Sequence, residues 1–95
     1  MEMLLTRARR DPIGVGRCRE VVERVLSGSP YGSMLARTNG LSADCVRCDQ
    51  TRIPGRAVYD ITNNKITVCA DRLAENKEVE EALRHEIVHA HDVRE

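Results

Sequence analysis

One stretch dictates the local structure it needs. Arg84-His85-Glu86-Ile87-Val88-His89-Ala90-His91-Asp92 holds all three histidines of the 95-residue chain within seven positions and contains an HExxH pattern. Its residues act together only on a helix. Residues four apart then project one turn from each other on one face, so His85 and His89 can chelate a single zinc ion through neutral imidazoles. With His85 at zero and about 100° per residue, Glu86 falls near 100°, beside the water that such an ion activates. His89 falls near 40° and Asp92 near −20°, on the metal face, whereas His91 falls near 240°, roughly opposite. Leu83, Ile87 and Ala90 cluster between about 140° and 200°, an apolar stripe adjoining the polar one. A solvated helix with two histidines four apart by chance is the bland alternative, and it gives Glu86 and the stripe no role.

A catalytic zinc takes three protein ligands and leaves a position for water. His85 and His89 supply two. Asp92 is the candidate third, either as a carboxylate ligand or as an acceptor that orients a ligand imidazole. In the extended HExxHxxGxxH signature a glycine turns the chain so that a third histidine reaches the metal. Here Asp92 and Glu95 occupy those two positions, and without the glycine the helix carries Glu95 away. Given a third ligand, Glu86 takes the proton of the attacking water and passes it to the leaving amine. The hairpin strand just before the helix is placed to hold an extended substrate by β-addition.

A chain of this length makes one small domain, a size that often leans on a metal, disulfides or a partner. With two Tyr, no Trp and no Phe, the core has to come from Val, Leu, Ile, Ala and Met. No apolar run approaches membrane-spanning length. Net charge is zero, with eight basic and five acidic residues in 1–47 and seven basic and ten acidic in 48–95. That mild asymmetry, without aromatic stacking residues, argues against a nucleic-acid module.

Residues 1–16, broken by Asp11-Pro12 and two glycines, read as a flexible leader. Cys18, Val21, Val22, Val25 and Leu26 follow helical spacing, and Gly28-Ser29-Pro30 stops that helix. A second short helix is expected from Tyr31 to about Arg37. Leu41 to Gly55 reads as loop. Two β-rich runs, 56–60 and 65–69, flank Asn63-Asn64, whose tolerance of left-handed backbone favours a hairpin. Residues 71–75 are expected to make a helical turn. Asn76 is expected to cap the last helix, with Glu78, Glu80 and Glu81 against its positive end. The fold expected is α+β: two N-terminal helices, a β-hairpin and a C-terminal HExxH helix. Cys18, Cys45, Cys48 and Cys69 are compatible with two disulfides, free thiols or a second metal site. Cys45-x-x-Cys48 is half of a zinc knuckle, but no second CxxC exists to complete it. A redox CxxC lacks the βαβ pattern expected around it.

The run 55–60, Ile66-Thr67-Val68-Cys69-Ala70-Asp71-Arg72-Leu73 and the HExxH helix resemble the mitochondrial inner-membrane metalloproteases that mature subunit 6 of ATP synthase. The Arg17-Cys18 helix, Ser29-Pro30 and the Cys45/Cys48 pair are similar to that family's N-terminal half, so the likeness spans residues 17–92. The resemblance implies a zincin-like metalloprotease domain over 17–95, peripheral to the inner membrane in the intermembrane space. It implies His85 and His89 as Zn2+ ligands, Glu86 as catalytic base and Asp92 closing the motif. It implies a polypeptide substrate, the subunit 6 precursor, with an assembly role that can be independent of proteolysis, and oxidised cysteines. The family has more cysteines and continues beyond the position of Glu95, and Val93-Arg94-Glu95 matches it loosely, so the domain is expected to be incomplete at its C-terminus. The competing reading is an assembly chaperone that keeps the fold without a complete site.

Overall fold

Two helices and a three-stranded mixed sheet make up the α+β fold in the computed structural model, which describes residues 11–28 and 40–94. The helix expected over 31–37, the first ten residues and Glu95 lie outside them. In chain order come α1 (Val15–Gly28), β1 (Ser42–Val46), β2 (Ala57–Asp60), β3 (Lys65–Cys69), a 3-10 turn (Ala70–Arg72) and α2 (Asn76–Arg94). Residues 11–16, expected in the leader, include two helical positions. Ile13 is buried in the core, and its N–H donates to the Leu73 carbonyl at 2.7 Å.

β3 is the central strand, running parallel to β1 and antiparallel to β2. The register aligns Ala43 with Ile66 and Cys45 with Val68 on one side. On the other side it aligns Tyr59 with Ile66 and Ala57 with Val68. Since strand side chains alternate, these six share one face, and all join the core that the helices complete. From α1 come Cys18, Val21, Val22 and Val25, and from α2 come Val79, Leu83, Ile87 and Ala90, every one buried.

Two expectations are corrected by this topology. Residues 42–46, read as loop, form β1. The alternation Leu41, Ala43, Cys45 is present, but small and polar residues made it too weak to read as a strand. β3, the strand expected to receive substrate, has both edges occupied by its neighbours. The hairpin itself forms over the expected runs. Asn64 turns it with φ 51°, and Asp60 Oδ1 accepts the Thr62 N–H at 3.0 Å. The Asn63 side-chain amide donates to the same carboxylate at 2.6 Å and holds its pKa below the usual range.

The four cysteines form two disulfides. Cys18–Cys45 joins α1 to β1, and Cys48–Cys69 joins the loop after β1 to the end of β3. Arg19 braces the first from outside, donating to Asp44 at 2.8 Å and lowering that carboxyl's pKa through the hydrogen bond. The 3-10 turn secures the rest of the loop. Asp71 accepts the Cys48 N–H at 2.7 Å. The Arg72 guanidinium donates to the carbonyls of Ile53, Gly55 at 2.8 Å and Cys48 at 3.1 Å. Gly55 adopts φ 72°, a conformation that other residues reach at a cost. It delivers the chain into β2.

Closing loops of this length removes about 3 kcal/mol of unfolded-chain entropy per bridge. A small domain has only about 5–15 kcal/mol in total. Reduction with a thiol is therefore expected to move the urea midpoint far down, with Cys18→Ala and Cys48→Ala each producing part of the loss. Equal midpoints for oxidised and reduced protein would contradict this.

Candidate metal centre

The two amides just before α2 are satisfied by a side chain of its first turn. Glu78 Oε1 accepts the N–H groups of both Ala74 and Glu75 at 2.9 Å, and its charge complements the positive helix end. The Glu75 carbonyl accepts from Glu78 and Val79, so Glu75 holds the cap position expected of Asn76, the first residue inside the helix. The sequence hid this because Glu is a less common cap than Asn.

The buried stripe sets the rotation of the helix. With Val79, Leu83, Ile87 and Ala90 inside, His85 and His89 face outward and Glu86 lies at the boundary, 8% exposed. The ligand atoms of His85, Glu86 and His89 all fall within 4.8 Å of one another. The imidazole rings are 4.2 Å apart between centroids and inclined at 62°, and His89 Nδ1 approaches Glu86 Oε1 at 3.4 Å. Two exposed imidazoles and a carboxylate at this spacing are a donor set that fits a divalent cation of borderline softness. Asp92 and His91 are not in this group. Asp92 is exposed one turn beyond His89 and lines the same cleft as His89 and Glu86.

Two clefts meet at Glu86. One, of about 440 Å³, lies between the start of β2 and α2 and is lined by Arg56, Ala57, Glu81, Ala82, His85 and Glu86. The other, of about 500 Å³, runs toward the end of α2, where Pro54, Val58, Tyr59, Ile61 and Val93 join Ala57, Glu86, His89 and Asp92. Glu86 and Ala57 line both. Sequence reasoning singled out only the helix residues of the motif. Glu81 and Val93 stand four residues before His85 and four after His89, so helical periodicity could have placed them beside the motif. The residues from β2 and the Arg72-bound loop are brought there by tertiary packing, which leaves no trace in spacing.

A cation on these donors would lie against a cleft wall with a shielded carboxylate beside it, an arrangement that would suit activation of water next to a bound carbonyl. Replacing His85 or His89 with Ala is expected to abolish binding of one zinc ion per chain in equilibrium dialysis, while far-UV circular dichroism stays unchanged. Stoichiometric binding by the double variant would place the metal elsewhere.

No curated protein matches the chain, and no solved structure matches it. The sequence model of one family, described as the Peptidase M76 family, matches residues 16–95, a span that includes all but the first residue of α1, the sheet, both disulfides and the His-Glu-His group. The chain belongs to the Peptidase M76 family.

Proposed function

We propose that the chain is a zinc-dependent endopeptidase with a zincin-like HExxH site. We propose further that it acts on a mitochondrial membrane-protein precursor of the ATP synthase subunit 6 type and contributes to assembly of that complex. The observation that carries the reading is the gathering of His85, Glu86 and His89 within 4.8 Å at the meeting of two clefts, inside the stretch that matches a peptidase family. The intermembrane-space location and peripheral membrane association rest on the family resemblance of the sequence. They are compatible with two disulfides, which persist in oxidising compartments. Among the described residues no helix is long and apolar enough to cross a membrane.

In this reading His85 and His89 would hold Zn2+ through ring nitrogens, with Asp92, one turn away, as the candidate third ligand or as an acceptor that would orient a ligand imidazole. When bound, zinc supplies Lewis acidity to the scissile carbonyl and to the attacking water. Glu86 takes the proton from that water at a carboxylate oxygen and returns it to the leaving amine. Its place at the edge of the buried stripe limits solvent around the carboxylate, while contact with His89 keeps it directed toward the ligands. The polypeptide lies in the joined clefts between β2 and α2, and its cut bond crosses the Glu86–Ala57 junction.

The competing reading, an assembly module with an incomplete site, is favoured by one feature: Asp92 stands outside the His-Glu-His group. One experiment separates the two. Purified chain, loaded with zinc, is incubated with a peptide spanning the presequence junction of a subunit 6 precursor. The peptidase reading expects cleavage that falls by roughly 100- to 10,000-fold in Glu86→Gln, with zinc content unchanged. Cleavage that survives in the variant removes Glu86 as the base. Peptide binding without cleavage in the zinc-loaded wild type supports the assembly module instead.

A further inference from the structure

The two clefts that meet at Glu86 differ in chemistry. The one beside His85 carries Arg56 and Glu81, whereas the one beside His89 is walled largely by Pro54, Val58, Tyr59, Ile61 and Val93, with Asp92 its charged side chain besides the reactive group. We infer that this second cleft is a specificity pocket, which takes the apolar side chain of a residue flanking the cut bond. The inference rests on the peptidase reading and deepens it by naming the substrate class: polypeptides with a large aliphatic or aromatic residue next to the cleavage point.

Three observations point the same way. Large apolar side chains are rarely left in water without a use when they cluster. Among the described residues the exposed large hydrophobics are Ile61, Val88 and Val93, and two of these, Ile61 at 55% and Val93 at 52%, line this cleft. The cleft is also continuous with the reactive group, because Glu86 and His89 belong to its wall. A side chain seated there puts the adjoining peptide bond beside them.

The walls are held in place as well. Pro54 sits between Ile53 and Gly55, whose carbonyls both accept from Arg72. Tyr59 donates its hydroxyl hydrogen to Asn64 Oδ1 at 2.7 Å, which holds the ring against the hairpin turn. Ala57, shared by both clefts, lies in the sheet. A pocket with fixed walls discriminates by shape and polarity, since neither partner has to be ordered on binding. At about 500 Å³ it admits a bulky side chain with part of the peptide backbone.

The test uses the full chain and a peptide series that varies only at the two residues flanking the cut bond, with Leu, Phe, Ala, Asp or Lys at each. Cleavage is followed with the zinc-loaded protein, and binding is followed by fluorescence anisotropy with metal-free protein. Leu or Phe at one of the two flanks is expected to exceed Asp by about tenfold or more in both kcat/KM and affinity. Ile61→Glu and Val93→Glu are each expected to turn the preference toward Lys, a gain that misfolding cannot produce. Equal cleavage and binding across the series, no binding of any peptide, or an unchanged preference in both variants overturns the pocket. Apolar-selective binding with no cleavage by the zinc-loaded protein leaves the pocket standing and removes the peptidase reading instead.

Discussion

Everything at the site depends on how α2 is rotated about its own axis. Val79, Leu83 and Ile87 are completely buried, and burying each aliphatic side chain contributes about 1.5–3 kcal/mol. Together they represent a large part of the roughly 5–15 kcal/mol that holds a small domain folded. A rotation that withdrew this stripe would forfeit that contribution, so the helix has one setting. In it, His85 and His89 emerge on the solvent side and Glu86 falls at the seam, partly shielded but within reach of both. The same apolar contacts that hold the fold therefore direct the His85-Glu86-His89 group into the clefts.

The rest of the chain supplies a rigid surface for that helix to lie on. A chain with two tyrosines and no Phe or Trp has little large apolar area to bury, and the covalent bridges compensate. Cys18–Cys45 fastens α1 to the β1 edge, and Cys48–Cys69 fastens the intervening loop to the central strand. Arg72 extends the second bridge by donating to three carbonyls along that loop. Pro54, Arg56 and Ala57, which reach the clefts from this segment, are thus positioned by a disulfide and one guanidinium. Scaffold and site are one construction.

Much of this was legible in the sequence, and what was legible was periodic. The helical spacing of Cys18, Val21, Val22 and Val25 located α1, and the stripe of Leu83, Ile87 and Ala90 gave the buried side of α2. The β-rich runs around Asn63-Asn64 located the hairpin, and Asn64 adopts the left-handed backbone that its side chain tolerates. Non-local features were illegible. β1 is polar enough to pass for loop, and its strand character comes from pairing with β3 some twenty residues on. The disulfide partners, the Arg72 contacts and the second wall of the cleft all join residues distant in sequence, and no local pattern encodes them. Glu78 was placed correctly against the helix end, but its capping of Ala74 and Glu75 needed the backbone path.

X-ray absorption at the zinc edge of the oxidised, zinc-loaded protein tests most directly whether the metal lies on α2. The expected spectrum shows two imidazole nitrogens at about 2.0–2.1 Å, completed by oxygen ligands. Sulfur at about 2.3 Å would place zinc on cysteines and contradict both the disulfides and the HExxH site. A zinc shell without imidazole scattering would contradict the account as well.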